Sequence, residues 1–245
     1  MDGIGWYDII DIGVLDEETS ASTLPSASSS SFNLQCLYLS GCENLKQLPD
    51  TFYKLTSLQE LCIECCKELD TSNLHILFDS LSSLRYLDMS WCDKLYELPD
   101  NITNLSSLNW LALNGSNLTT IPESIKHLPH LKHLNLWNCK KLESLTQIPP
   151  SLHELYLDDC IMLERVFTPT PQLLQQHLAY FQSFLQGISD PYSIAPIYLR
   201  LATFGNSAFF SLNNCPKLKR DAIDAIQEYS ERCSNGRREM TGGLW

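Results

Sequence analysis

One phrase recurs six times along this chain of 245 residues, and it constrains the fold more than any other feature. Its clearest copy spans residues 84–99 and reads LRYLDMSWCDKLYELP, which reduces to the skeleton LxxLxLxxCxxLxxLP. The six copies begin at Leu34, Leu58, Leu84, Leu108, Leu131 and Leu152, and they are 24, 26, 24, 23 and 21 residues apart. A period of about 20–29 residues with this spacing of apolar positions indicates stacked structural repeats.

Each copy predicts a short strand, because Leu87 and Met89 alternate with Asp88 and would share one buried face. A single repeat cannot bury its leucines, whereas stacked repeats close a continuous core and align their strands in a parallel sheet. Residues 99–107 suit a 3₁₀ or irregular turn, since Pro99 lacks a backbone donor. We therefore predict an α/β fold: a leucine-rich-repeat solenoid of six repeats, with a parallel β-sheet on its concave face and a helical C-terminal cap.

Composition divides the chain into four predicted parts. Residues 1–33 contain six acids, no Lys or Arg and a serine-rich run, and we expect a largely disordered extension with a short strand or helix near its start. Residues 34–166 form the repeats, and 167–233 form a helical cap or post-repeat region. The polar, glycine-containing residues 234–245 predict a loose tail.

Helical signals appear on the return path of the second repeat and after the repeats end. Leu74, Leu77, Phe78 and Leu81 have helical spacing and follow a run of N-capping residues. A second helix is predicted to begin at Pro171, with apolar residues at Leu174, Leu178, Phe181 and Leu185. A third is predicted over residues 221–233, and the intervening segment 208–215 is strand-like and echoes a degenerate repeat.

Cysteine occupies one slot of the phrase in five of the six copies. These residues are Cys42, Cys66, Cys92, Cys139 and Cys160, and Ser116 takes the slot in the fourth copy. In such repeats the slot points inward, where a small side chain can bond to the backbone of the turn. The pattern favours a structural ladder of buried free thiols. Disulfides between stacked rungs and metal sites are the alternatives.

The register of the leucines determines which residues point outward from the sheet. Aromatic and acidic residues predominate on that face, Lys and Arg do not occur at its strand positions, and exposed Trp and Tyr are typical of interface hot spots. The candidate partner-binding residues are Tyr38, Glu60, Glu64, Tyr86, Asp88, Trp91, Trp110, His133, Asn135, Trp137, Tyr156 and Asp158. We expect the face either to bind a protein of basic and apolar character or to pack on another domain of the same polypeptide.

Motifs for catalysis, cofactors and metals are missing from the sequence. There is no P-loop, no GxGxxG, no GxSxG and no HExxH, so we expect no enzyme activity and no cofactor. Cys62, Cys65 and Cys66 include one CxxC, but Cys66 is inward in the repeat register while Cys62 lies on the sheet face, and no second CxxC exists, which argues against a metal site. A net charge of −12 argues against nucleic-acid binding, and no apolar run is long enough to span a membrane.

The N-terminus has no visible signal peptide, so ten cysteines suggest reduced thiols in the cytoplasm or the nucleus. The sequence does not indicate an oligomeric state.

Three features resemble one protein family. They are the cysteine-containing phrase with its LPxxIxxL step, the closing stretch IPPSLHELYLDDCIMLERV at 148–166, and FSLNNCPKL at 210–218. This combination is similar to the repeat region of plant intracellular nucleotide-binding, leucine-rich-repeat disease resistance proteins, especially those with an N-terminal TIR domain. The resemblance covers roughly residues 34–233.

The resemblance implies non-catalytic recognition of pathogen effectors or guarded host proteins in plant defence. Neither a TIR domain nor a nucleotide-binding domain is visible, so the chain is expected to be a piece of something longer or a small free-standing binder. Two alternatives remain. The repeats could be an intramolecular regulatory surface of a truncated receptor, or a substrate-recruiting adaptor of a ubiquitin ligase, although residues 1–33 show no F-box.

Overall fold

A computed structural model describes residues 8–11, 34–48, 50–187 and 209–240. Its repeats stack as successive rungs, each of which contributes one strand to a common sheet. The strands are β1 Asp8–Asp11, β2 Leu34–Tyr38, β3 Glu60–Cys62, β4 Tyr86–Asp88, β5 Trp110–Ala112, β6 His133–Asn135, β7 Ser144–Leu145, β8 Glu154–Tyr156, β9 Arg165–Val166 and β10 Phe209–Ser211. The α-helices are α1 Leu74–Ser80, α2 Pro171–Gly187 and α3 Arg220–Met240.

Eight strands form one parallel sheet in the order β1-β2-β3-β4-β5-β6-β8-β10. The order follows the chain, as expected when each repeat adds a strand beside the one before it. The register never slips between β2 and β10, so Leu37, Leu61, Leu87, Leu111, Leu134, Leu155 and Phe210 align in one row. The predicted fold class is therefore confirmed.

Leucine side chains fill the space between the sheet and the return paths. Leu87 and Leu111 are fully buried, as are Met89 and Leu113, which lie two residues further along the chain and just past the strands. Burying each such side chain contributes about 1.5–3 kcal/mol relative to leaving it exposed. Since every rung adds an equivalent layer, the core is continuous along the stack.

Three of the return paths form a short 3₁₀-helix instead of an α-helix. These turns are Asp50–Lys54, Asp100–Asn104 and Glu123–His127, and the second confirms the prediction for residues 99–107. The longer second repeat accommodates α1, as predicted, and buries Leu74, Leu77 and Phe78.

A left-handed backbone conformation follows the strand in every rung. The residues with positive φ are Gly41, Cys65, Trp91, Gly115, Asn138, Asp159 and Asn214, with φ between 53° and 75°. Gly, Asn and Asp adopt this conformation readily, whereas a bulky residue such as Trp91 is an outlier. This positive-φ position, which directly precedes the cysteine position in each rung, lies where the chain turns away from the sheet.

The cysteine slot connects each rung to the rung before it. The thiols of Cys66, Cys92, Cys139 and Cys160 donate hydrogen bonds to the carbonyl oxygens of Leu39, Ile63, Leu113 and Leu136, at 3.2–3.3 Å. Burial raises the pKa of the Cys66 and Cys92 thiols to about 12, so both remain protonated donors at neutral pH. None of the cysteines in the described residues forms a disulfide.

A seventh rung follows the six predicted from the phrase. Strand β10 pairs with β8, and Cys215 donates to the Leu157 carbonyl at 3.1 Å in the same way as the other ladder thiols. Residues 209–215 of this predicted degenerate repeat therefore form a structural repeat, although more than forty residues separate them from the sixth rung.

The helices after the repeats meet at a buried histidine. His177 on α2 is fully buried, with Nε2 at 3.1 Å from the Pro149 carbonyl oxygen and Nδ1 at 2.7 Å from the Tyr229 hydroxyl on α3. Helix α3 continues to Met240, beyond the predicted end at residue 233, so the first part of the predicted loose tail is helical.

At the other end of the stack, β1 pairs in parallel with β2. This strand is one of the two forms predicted for the start of the extension. The remainder of residues 1–33, for which disorder was predicted, lies outside the described residues.

Candidate functional site: the concave face of the sheet

The sheet aligns the predicted face residues in two rows. The first row contains Cys36, Glu60, Tyr86, Trp110, His133 and Glu154, and the second contains Tyr38, Cys62, Asp88, Ala112, Asn135 and Tyr156. Neighbouring residues in a row are about 4.8 Å apart, the spacing of adjacent strands. Glu64, Trp91, Trp137 and Asp158 lie just past the strands. All twelve predicted contact residues thus belong to one strip, called here the concave face.

Three stacked rings form the centre of the concave face. Tyr86 and Trp110 stack with ring centroids 6.0 Å apart, and Trp110 stacks on His133 at 4.6 Å. Tyr86 and Trp110 are half-buried, while His133 is only 5% exposed. The sequence predicts that the aromatic side chains of this face are exposed to solvent. In the structure, neighbouring rings cover much of each ring in this row. His133 mainly supports Trp110 and leaves little surface for a partner.

The carboxylate of Glu154 lies beside this row. Its Oε2 is 3.0 Å from Nδ1 of His133 and accepts a 3.0 Å hydrogen bond from the Tyr156 hydroxyl. Both this close polar contact and the charge interaction between the two side chains act on the Glu154 carboxyl. Burial alone would raise the pKa of the Glu154 carboxyl, but the contacts with His133 and Tyr156 outweigh it and hold that pKa below its ordinary value.

A second group of acids lies on β2, β3 and β4. The Tyr38 hydroxyl donates to Glu60 on the neighbouring strand, and burial followed by this hydrogen bond raises the pKa of Tyr38. Glu64 is close to Asp88, and burial together with that like charge raises the pKa of the Glu64 carboxyl. This end of the face therefore carries negative charge that no neighbouring Lys or Arg on the strands offsets.

Cys62, Glu64 and Asp88 could also hold a metal ion, since their ligand atoms lie within 4.8 Å of one another. Their present contacts compete with that role. The Cys62 thiol is 2.9 Å from Ser40 Oγ, and Asp88 accepts hydrogen bonds from the Ser90 backbone N–H and the Tyr86 hydroxyl. Burial raises the pKa of Cys62, which opposes the thiolate that a metal needs. The expectation that the chain binds no metal stays a prediction.

Asp158 connects the sixth rung to the seventh. Its Oδ1 accepts from Ser211 Oγ at 2.6 Å, from the Asn213 backbone N–H at 2.9 Å and from Asn213 Nδ2 at 2.5 Å. These contacts give this predicted contact residue a structural role that the sequence did not indicate, because the partners are more than fifty positions away.

Trp91 and Trp137 lie at the edge of the face where the strands end. Their rings meet edge to face, with centroids 5.9 Å apart. Trp137 is 41% exposed, and its Nε1–H donates to Asp159 Oδ2 at 3.0 Å. Gly115 and Asp159 were not predicted as site residues, yet both shape this edge. The recurring positive-φ slot, visible as Gly, Asn or Asp in five of seven rungs, is the signal that could have found them.

The stacked rungs, the inward leucines and the thiol ladder define the class of this chain: it is a leucine-rich-repeat domain. Two family models match it, a leucine-rich repeat region over residues 61–167 and a leucine-rich repeat over residues 33–55. Domains of this class are typically non-catalytic and bind other proteins through an extended concave surface.

Within this class, the chain is related to plant disease resistance proteins. It is 26% identical over 237 residues to the disease resistance protein RPS4 of Arabidopsis thaliana, covering 92% of this chain and 16% of that protein. It is 31% identical over 207 residues to the disease resistance-like protein DSC1 of Arabidopsis thaliana, covering 65% of this chain and 17% of that protein. The chain thus spans about a sixth of the length of these relatives.

Among solved structures, the leucine-rich repeat domain of the type III effector XopL is similar, with 25% sequence identity, a TM-score of 0.43 and coverage of 55% of each chain. Of the helices that the structure describes, none has the length and apolar character needed to cross a membrane.

Proposed function

We propose that the concave face recognises a protein segment of basic and apolar character, and that this recognition serves plant defence. The stacked row of Tyr86, Trp110 and His133, with carboxylates at both ends, carries the proposal. Aromatic rings supply large contact area at low entropic cost, and they are enriched at binding hot spots. The protein is proposed to act in the cytoplasm or the nucleus as a sensor of pathogen effectors or of guarded host proteins.

The charge on the face supports a basic partner. Glu60, Glu64, Asp88, Glu154 and Asp158 lie along the strip, while Lys and Arg are absent from its strand positions. A partner bearing Lys or Arg would be attracted over a distance set by the Debye length and would relieve the repulsion between Glu64 and Asp88. The same charge disfavours a second copy of this chain as the occupant of the face.

A second candidate is an intramolecular one, in which the face packs on another domain of a longer receptor. The observation in its favour is that the relatives are about six times longer than this chain. In that case the occupant would be a basic and apolar surface of the same polypeptide, and the recognition chemistry would be unchanged.

The test is a phage-display selection, in which a library of random peptides is selected for binding to the purified chain. The affinities of the enriched peptides are then measured with synthetic copies. We expect peptides that combine Lys or Arg with aromatic or aliphatic residues, and an affinity that falls as salt is raised. Replacing Trp110 with Ala should weaken binding about five- to thirtyfold, which corresponds to a hot-spot loss of roughly 1–2 kcal/mol.

Tyr96→Ala is the matched control, because Tyr96 is 55% exposed and lies outside the rows of the concave face. Circular dichroism should show that both variants remain folded. Enrichment of acidic peptides, or equal losses of affinity in the two variants, would reject the proposal. A domain of a full-length relative that competes with the peptides would favour the intramolecular candidate.

A further inference from the structure

An aromatic ledge projects from the edge of the concave face where the strands end. It consists of Trp91, Gly115, Trp137, Asp159 and Asn214, which come from five different rungs. Backbone hydrogen bonds between neighbouring rungs hold this edge in place. The Trp91 N–H donates to the Asn114 carbonyl at 2.8 Å, and the Gly115 N–H donates to the Trp137 carbonyl at 2.9 Å. The ledge is therefore formed before any partner arrives.

Trp91 reaches this position in a strained conformation. Its φ of 58° is unusual for a bulky side chain, and such outliers cluster at binding sites and other functional positions. Gly115 makes the conformation sterically feasible, because a Cβ at Gly115 would lie 2.2 Å from Trp91 Cε3. Five of the other six rungs carry Gly, Asn or Asp at the same position, so the fold does not require tryptophan there.

The ledge presents a ring beside a fixed negative charge. Asp159 accepts from Asn214 Nδ2 at 2.7 Å and from Trp137 Nε1 at 3.0 Å. These two hydrogen bonds hold the pKa of the Asp159 carboxyl below its usual range, so the carboxylate is ionised at neutral pH. Trp137 remains 41% exposed next to it. Lys140 is near enough to act on Asp159 electrostatically, but the ion pairs of the described residues do not include these two.

We propose that this ledge is a subsite for a cationic side chain of the partner, best suited to arginine. The inference rests on the proposed function and names the chemical group that the edge of the face receives. A guanidinium can stack on the exposed Trp137 ring and face the Asp159 carboxylate at the same time, since it combines a planar cation with several donors. A lysine ammonium would satisfy the same charge but would stack less well.

The experiment uses hexa-arginine as a probe, with hexalysine and hexacitrulline as comparisons, titrated into the ¹⁵N-labelled chain at low salt. The indole N–H signals report the site, and the variants Trp91→Phe, Trp110→Phe and Trp137→Phe assign the three signals of the concave face. Hexa-arginine should shift the Trp137 and Trp91 signals in a saturable way, whereas uncharged hexacitrulline should not. Hexalysine should bind more weakly than hexa-arginine.

Asp159→Asn should weaken hexa-arginine about fivefold, as expected for loss of one cation contact. Glu97→Gln removes the same charge from an exposed position after the ladder slot of the third rung and should have a markedly smaller effect. Equal losses in both variants would mean unspecific attraction and would overturn the subsite. Shifts confined to Trp110, or no shift at any concave indole, would overturn the subsite, whereas the proposed function is rejected only by the peptide selection and its Trp110→Ala variant.

Discussion

Trp91 lies directly over Gly115, so close that the smallest side chain at Gly115 would overlap its ring, at 2.2 Å from Cε3. Gly115 also has a φ of 70°, a left-handed backbone conformation that disfavours Ala. Replacing Gly115 with Ala should therefore destabilise the chain by about 2–4 kcal/mol through the clash and the backbone strain together. Urea denaturation followed by circular dichroism measures this loss.

A double-mutant cycle separates the two contributions. Removing the ring in Gly115→Ala/Trp91→Ala should recover part of the stability and leave mainly the backbone cost, a coupling of about 1–2 kcal/mol. Gly41→Ala is the control for backbone strain alone, because Gly41 occupies the same slot of the first rung at a φ of 75°. Strict additivity of the two substitutions would contradict the contact.

The thiol ladder predicts a stability cost for each inward cysteine. Cys92→Ala removes a fully buried sulfur and its hydrogen bond to the Ile63 carbonyl, so the free energy of unfolding should fall by about 1–3 kcal/mol. Cys65→Ser is the matched control, since Cys65 is only half-buried and lies outside the ladder slot, and it should cost less than about 0.5 kcal/mol. If both variants lose a similar amount of unfolding free energy, the inward cysteine position does not contribute more to stability than the half-buried one.

Glu154 predicts a pH dependence of stability. Its pKa is lowered in the folded state, so its contribution is present above the unfolded value of about 4.3 and is lost as pH falls through the folded value. Glu154→Gln should cost about 1 kcal/mol at pH 6, because it removes the charge that faces His133, and the difference from the parent chain should shrink near pH 3.

Urea midpoints of the two proteins at pH 6 and pH 3 provide the measurement. Glu97→Gln, at an exposed position, should show no such change with pH. A Glu154→Gln deficit that is as large at pH 3 as at pH 6 would rule out the ionised carboxylate as its source.

The Tyr229–His177 contact predicts the stability of the C-terminal helices. Nε2 of His177 faces the Pro149 carbonyl, an acceptor, so Nε2 carries the proton and Nδ1 accepts from the Tyr229 hydroxyl. Tyr229→Phe removes that donor in a fully buried site and should cost about 1–2 kcal/mol. Faster tryptic cleavage within α3, compared with Tyr53→Phe at an exposed position, is the expected readout. Unchanged cleavage would mean that the helix does not depend on this hydrogen bond.

The sequence by itself determined the repeat, the strand register and the rows of the concave face. Each of these follows from leucines that alternate along a strand and recur with one period, and such local spacing is readable without coordinates. The inward cysteines were found in the same way, because they share one slot of the phrase. The 3₁₀ turn after Pro99 and the helix beginning at Leu74 also followed from local signals.

Contacts between rungs were decided only by the tertiary structure. The seventh rung has a degenerate phrase, and its place beside β8 depends on strand pairing across more than fifty residues. The burial of His133 follows from stacking on Trp110, and the packing of Trp91 over Gly115 depends on one rung lying on the next. A periodic pattern specifies which side of the strand a residue takes, but the stacking of neighbouring rungs decides how much of that residue a partner can reach.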